Sequence, residues 1–350
     1  MKTVTLGIYD KFSCLAGECP STCCSGWKIR IAEEDYRRFQ NLSPEWLRQD
    51  VLSHIEQKDS TYYFQNRKDG RCAMLDEDGL CRIQRNTDEK TLCNTCRKYP
   101  RLINKTGDML YLSMAASCPV VASYLVNDSV MWSASYNDNV IQSVSYSDSV
   151  IWPASFEEDR METASVQNKV QPFGEMWKNF FSKWDRMQEE KKCSSRSFLT
   201  GAEKLTDSIL DIILSSREGI YLLDEFAIFE QDISEEDLCR LIEKFFSVSR
   251  AKWEKLCQNY LCYRLVSRKI EMPDEAEKEI EVQTLGELFL IRVLAFGRYA
   301  VTSHLSDDDW CDVVQMAYRF CAHGKKVSQA FHQTASLLFS DETIWKLLLS

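Results

Sequence analysis

Arg71–Arg101 reads RCAMLDEDGLCRIQRNTDEKTLCNTCRKYPR, and its four cysteines, Cys72, Cys81, Cys93 and Cys96, govern what fold the segment can take. Its apolar residues come in short pieces. Met74-Leu75 and Leu80-Cys81-Arg82-Ile83 flank Asp78-Gly79, a tight-turn signal between two short runs. No helical or strand period is sustained, so the stretch predicts short helices and hairpins tied together by something other than a large core. Upstream, CLAGECPSTCCSGW carries Cys14, Cys19, Cys23 and Cys24 before Gly26-Trp27, and Cys118 follows downstream in SCP. Nine of the 15 cysteines thus fall in the first 118 residues. Thiols at this density point to a metal, an iron–sulfur cluster, disulfides or redox chemistry.

The N-terminal stretch MKTVTLGIYDKFSC has one early Lys and no apolar core segment, and no run of 18 apolar residues occurs. Neither a secretory signal nor a membrane span is therefore expected. A cytoplasmic location follows as an expectation, and there structural disulfides are rare. The formal net charge of −10 disfavours nucleic acid, whose affinity depends on neutralising phosphates, and tolerates a cationic partner.

Three zones follow along the chain. Residues 1–126 form the cysteine lobe. Residues 127–171 are an insertion and linker opened by three near-identical decamers, NDSVMWSASY, NDNVIQSVSY and SDSVIWPASF, over 127–156. Polar turn residues between β-branched and aromatic runs predict short strands there, in a duplicated surface insertion or a partner-binding flap. Residues 172–350 are helical. Stripes at three- and four-residue steps run through Phe173, Met176, Trp177, Phe180, Phe181, Trp184 and Met187; through Leu238, Leu241, Ile242, Phe245 and Phe246; through Trp253, Leu256 and Tyr260; and through Trp310, Val313, Val314, Ala317 and Phe320. Ser234 and Ser306, each before three acidic residues, read as helix N-caps. The fold expected is mainly α: a small, irregular cysteine-rich lobe with short hairpins, then a C-terminal helical bundle. Cys193, Cys239, Cys257, Cys262, Cys311 and Cys321, scattered singly, read as small buried hydrophobes.

Several chemistries are excluded. No two of the 12 glycines lie one residue apart, which removes the dinucleotide turn, and there is no P-loop and no G-x-S-x-G elbow. His54, His304, His323 and His332 all lie outside the cysteine runs, which removes a Cys₂His₂ finger, and they read as ordinary partly buried residues. Cys19-x₃-Cys23 matches the first step of a radical-SAM motif, but position 26 is Gly26.

Thiolate-only ligation selects zinc, cuprous copper or iron–sulfur clusters. Only Cys93-x₂-Cys96 has the zinc-knuckle form. The long C-x₈-C-x₁₁-C-x₂-C spacing suits ligands collected from separate loops around a four-iron cluster, with structural zinc the alternative. Adjacent side chains diverge, so Cys23 and Cys24 are not expected to bind one small ion together; one can ligate while the other packs or serves a second site.

The cysteine runs, Gly26-Trp27 and Tyr99-Pro100-Arg101 together resemble the flagellin lysine-N-methylase (FliB) family, related to cysteine-cluster proteins described as zinc- or iron-chelating. The resemblance covers residues 6–120, and the decamers depart from it. It implies methylation of flagellin lysines with S-adenosylmethionine as donor and a [4Fe–4S] cluster on a subset of Cys14, Cys19, Cys23, Cys24, Cys72, Cys81, Cys93, Cys96 and Cys118. Trp27 and Arg101 become candidates for holding the donor, Arg101 through its carboxylate. Lysine needs deprotonation before it can attack. Tyr99, Tyr111, Glu33, Glu34 and Asp35 lie near the motifs, but none is marked as the base. A metal or iron–sulfur carrier, or a zinc-stabilised adaptor, is the competing function.

Overall fold

The computed structural model describes residues 2–128, 130–136, 139–145, 194–271, 277–339 and 341–348. The chain starts in the middle of a sheet. β1 (Lys2–Leu6) is followed by a thiol-bearing loop whose only regular turn is Ala16–Glu18. Then come β2 (Arg30–Ile31), α1 (Glu33–Phe39), α2 (Glu45–Ser53), β3 (Ile55–Lys58) and β4 (Thr61–Phe64), the three strands forming a small antiparallel sheet in the order β2-β4-β3. Arg71–Arg101 is as irregular as its pattern predicts. It holds only α3 (Arg82–Asn86), a 3-10 turn and α4 (Asn94–Lys98). Ile29, Ile31, Phe39, Leu47, Val51, Phe64, Met74 and Ile83 close a small core that Cys72 and Cys93 share.

β5 (Arg101–Thr106), β6 (Met109–Met114), α5 (Pro119–Asn127), β7 (Met131–Tyr136) and β8 (Asn139–Ser145) return the chain to β1. The sheet order is β5-β6-β1-β7-β8, with β1 parallel to β6 (Val4 opposite Tyr111) and antiparallel to β7 (Val4 opposite Ala134). The first two decamers supply β7 and β8, which extend this sheet. The third decamer, Cys193 and the stripe Phe173–Met187 lie outside the described residues.

The helical half comprises α6 (Ser195–Ser215), α7 (Arg217–Ile220), α8 (Leu223–Phe226), α9 (Glu235–Glu271), α10 (Glu277–Thr302), α11 (Asp307–Ala322), α12 (Lys325–Leu338) and α13 (Asp341–Leu348). Two stripes that the sequence separates, Leu238–Phe246 and Trp253–Tyr260, belong to one continuous helix, α9. Both expected caps form: Ser234 Oγ accepts from Asp237 N, and Ser306 with Asp309 closes a reciprocal capping box. Cys257, Cys262, Cys311 and Cys321 are buried among apolar neighbours, as read.

The cores do not divide at residue 126. Leu6, Met114, Cys118, Val121 and Leu125 pack into the same large core as Phe198, Phe245, Phe289, Phe296 and Phe320. α9 stitches the halves with a polar row at four-residue steps. Asn259 Nδ2 donates to Leu125 O and Asp128 O at 2.8 and 2.6 Å, Tyr263 Oη donates to Met114 O at 2.7 Å, and Ser267 Oγ meets Ser113 Oγ at 2.7 Å. Asn259 and Tyr263 thereby satisfy backbone carbonyls of α5 and β6, and Ser267 pairs with a buried side-chain hydroxyl. Only the segment between the two halves of the large sheet keeps a separate core. No helix among the described residues is long and apolar enough to cross a membrane.

Candidate functional site

The thiols collect in two places. Cys24, Cys72, Cys81, Cys93 and Cys96 pack on the small core. Cys72 N donates to Cys24 O at 2.6 Å, which brings a residue of the first run into the second. Isolated bridges, Asn66 to Cys72 and Leu75 to Cys81, fix the hairpin that carries Cys72 and Cys81. Cys93 is the N-cap residue of α4 and Cys96 lies on it, close enough that each thiol shifts the other, Cys93 downward and Cys96 upward. α4 is too short to stand alone. It is held by buried Asp35, which accepts from Asn94 N at 2.7 Å, by Arg38, which donates to Leu92 O at 2.8 Å, and by Thr95 Oγ1 donating to Arg30 O. Asp35 is therefore scaffold, and Arg38 pairs with it at 2.7 Å.

Burial pushes the Cys72 thiol up to about 12 and Cys81 up to about 11, with the neighbouring thiols adding to the rise. Such a set disfavours its own charged form until a cation lies among it. The chemistry of the donor set, thiols alone, therefore fits a soft metal or an iron–sulfur cluster. A lone tetrahedral zinc would draw its sulfurs to about 3.8 Å of one another. Among the described residues no three potential ligands are grouped so as to hold a single ion. A cluster several atoms across takes thiolates standing further apart than a single ion does, and these five pack on one small core.

Of the other four thiols, Cys118 belongs to the large core, Cys19 is half-buried, and Cys14 and Cys23 are exposed. Cys118 is buried at the start of α5, where burial pushes it up to about 11 with Cys19 and Cys14 as charged neighbours. Cys23 and Cys24 act on each other: the neighbouring thiol raises Cys23 and holds Cys24 down to about 7.

Beside Cys23 a cleft of about 200 Å³ opens between the thiol loop and the helical half. Gly26 makes it possible: its φ of +91° is in the left-handed region that favours glycine. The turn folds Trp27 back until its indole Nε1 donates to Cys23 O at 2.7 Å. Trp27 and Tyr99 form an aromatic corner, with centroids 6.3 Å apart and planes at 41°. Opposite stand Met316, Arg319 and His323 at the end of α11, with exposed Tyr221 at the rim. Tyr221 is delivered by the sharp turn through Gly219, where a Cβ would meet the Ile213 backbone at 2.5 Å. Arg319 Nη2 donates to Ser21 Oγ at 2.6 Å and to Ser117 O at 3.3 Å. Tyr99 Oη is 3.1 Å from Ser117 Oγ, and burial raises its phenol far above neutral pH, so it remains a hydroxyl.

The structure thus brings Trp27 into the cleft and places Arg101 elsewhere, its guanidinium over the rings of Tyr9 and Phe12 at 5.8 and 5.1 Å. The guanidinium lining the cleft is Arg319 instead. Glu33 and Glu34 lie on α1 and Tyr111 on β6, and none of them lines it. Of the histidines, His323 lines the cleft, His54 pairs with Asp50, and His332 is buried against Glu287.

Over 136 residues, 37% of this chain, the sequence is 29% identical to a protein named Lysine-N-methylase from Salmonella typhimurium and to another of that name from Salmonella choleraesuis. In each case the match covers 34% of the relative, so the chain spans about a third of the length of these relatives. It is also 29% identical over 137 residues to the Flagellar biosynthetic protein FliU of Salmonella muenchen, covering 80% of that protein. No family profile and no solved structure matches.

Proposed function

We propose that this chain is a protein-lysine N-methyltransferase acting on flagellin, with S-adenosylmethionine as donor and a cysteine-held [4Fe–4S] cluster. One arrangement supports the reading above all: the Trp27–Tyr99 corner facing Arg319 across a cleft, directly beside the thiol loop. Aromatic faces attract cations, which suits both a lysine ammonium and a sulfonium. Arg319 presents a fork to a carboxylate and takes the place that the sequence assigned to Arg101. Relatives bearing a lysine-methylase name support the reaction class. The net charge of −10 favours approach of a lysine-bearing surface.

When bound, the donor would supply a sulfonium-borne methyl group to the neutral lysine nitrogen and leave as a thioether, with the released proton passing to water or a base. The residues of the cleft remove water from the ammonium, which lowers its pKa and frees the lone pair. Tyr99 is held as a hydroxyl and so serves as a donor rather than the base. For the cluster, four of Cys24, Cys72, Cys81, Cys93 and Cys96 are the ligands this reading assigns.

Co-expression with flagellin followed by peptide mass spectrometry tests the activity. Lysines heavier by about 14 Da or its multiples are expected. Unmodified lysines in soluble, metal-loaded preparations would leave the chain as a metal or cluster carrier.

A further inference from the structure

The resemblance accounts for one cluster, and five thiols on the small core are already enough for it. Cys14, Cys19, Cys23 and Cys118 are left over, and they are not scattered. Arg319 gathers them by donating to Ser21 and to Ser117, so one guanidinium ties the loop between Cys19 and Cys23 to the residue before Cys118. Cys19 Sγ donates to Ser21 O at 3.1 Å, and Cys14 Sγ accepts from Ala16 N at 3.4 Å. Cys19, Cys23 and Cys118 each have Cys14 as an electrostatic neighbour. Cys118 belongs to the large core, and Cys72 and Cys93 to the small one. The division therefore cuts across the runs: Cys24 leaves the first run for the small core, and Cys118 joins the other three.

We propose that the chain carries two separate thiolate-bound metal centres, the second held by Cys14, Cys19, Cys23 and Cys118 beside the cleft. Its ligand class is an iron–sulfur cluster, since among the described residues no three ligands are grouped closely enough for a single ion. Two features fit. The four donors are thiols alone, the set that selects such metals. The loop that carries three of them is irregular apart from Ala16–Glu18, so it can draw in around a metal without unwinding a helix or strand. Cys23 and Cys24, adjacent in sequence, would then face different centres, Cys24 on the small core and Cys23 on the cleft. The second centre also stands on the cleft's own wall, since Cys23 lines it. The inference does not depend on the chain being a methyltransferase.

The test is metal stoichiometry on the full chain, purified and reconstituted without oxygen, with iron, zinc and acid-labile sulfide counted per polypeptide. Two centres are expected in the unaltered protein. Cys14→Ser, Cys19→Ser and Cys118→Ser together should halve the metal and leave one centre. Cys72→Ser, Cys81→Ser and Cys96→Ser together should remove the other. Alkylation of the unaltered protein, loaded against chelated and mapped by mass spectrometry, checks the assignment without any substitution: Cys14, Cys19 and Cys23 should be protected only when loaded, whereas Cys118 is buried in either state. A single centre per chain, or alkylation of Cys14, Cys19 and Cys23 at equal rates with and without metal, overturns the proposal. No bound metal at all overturns it together with the cluster reading, while the flagellin assay reports on the activity separately.

Discussion

Cys23 and Cys24 show how much one side chain's surroundings can differ from its neighbour's. Cys24 packs on the small core and Cys23 faces the cleft, although a single peptide bond separates them. Sequence marks both equally. Arg319 is the opposite case. It falls between the apolar positions of the Trp310–Phe320 stripe, where charged residues are ordinary, and nothing local distinguishes it. Arg101 stood out only because it follows Tyr99-Pro100, and its cation–π partners Tyr9 and Phe12 are 90 residues upstream. Arg319→Lys keeps the charge but loses the planar fork. Affinity for S-adenosylmethionine should fall about tenfold, equivalent to ~1.4 kcal/mol, by calorimetric titration of a variant whose circular dichroism is unchanged. Equal affinity would remove Arg319 from the donor site.

At the scale of the element, the five-residue α4 carries two of the five thiols on the small core and cannot form alone. Its order comes from Asp35, 59 residues away in sequence, which takes the N-terminal amide of Asn94. Asp35→Ala removes that cap and leaves Arg38 without its carboxylate. About 2 kcal/mol of stability should be lost, read as a lower urea midpoint at constant slope, and metal content after reconstitution should drop in parallel. A drop in stability with full metal content would show that α4 does not position ligands. The caps at Ser234 and Ser306 were legible because capping is local: the donor and acceptor are three residues apart. The role of Asp35 was not, since a carboxylate early in a helix reads as a dipole partner until the backbone amide it holds is seen. The decamers behave similarly. Their alternation predicts strands, but that β7 would pair with β1 depends on where the N-terminus runs.

At the scale of the whole molecule, the helical half holds charge inside its core. Glu287 is fully buried, where Arg264 Nε and Nη2, Tyr260 Oη and His332 Nε2 all donate to it at 2.7–2.9 Å. Burial alone would raise its carboxyl, but Arg264 and His332 outweigh that and hold it well below the usual carboxylate range. His332 is itself pushed below its ordinary value, first by burial and then, against the pull of Glu287, by Arg268 and Arg264. Both shifts are downward, so both contributions to stability are present above the unfolded values and are lost on acidification. His332's part fades below about pH 6.5, and Glu287's below about pH 4.3. The thermal midpoint should therefore fall in two stages as pH drops from 8 to 3. Glu287→Gln should flatten the lower stage and cost about 3–5 kcal/mol at pH 7, because Arg264 stays buried without the Glu287 carboxylate. A midpoint curve parallel to that of the unaltered protein would show that the cluster does not govern acid stability.

The sequence by itself determined the fold class, the caps, the aliphatic and aromatic faces, and that thiols dominate the chemistry of the N-terminal part. Each is set by residues a few positions apart, where the period of a helix or the rules of a turn operate. Tertiary structure alone decided which core each cysteine joins, which arginine lines the cleft, and that β1, α5 and the helices share one interior. Those choices rest on contacts across roughly 60 to 300 residues, from Asp35 with Asn94 to Ser21 with Arg319, and chain closure, not spacing, selects among them.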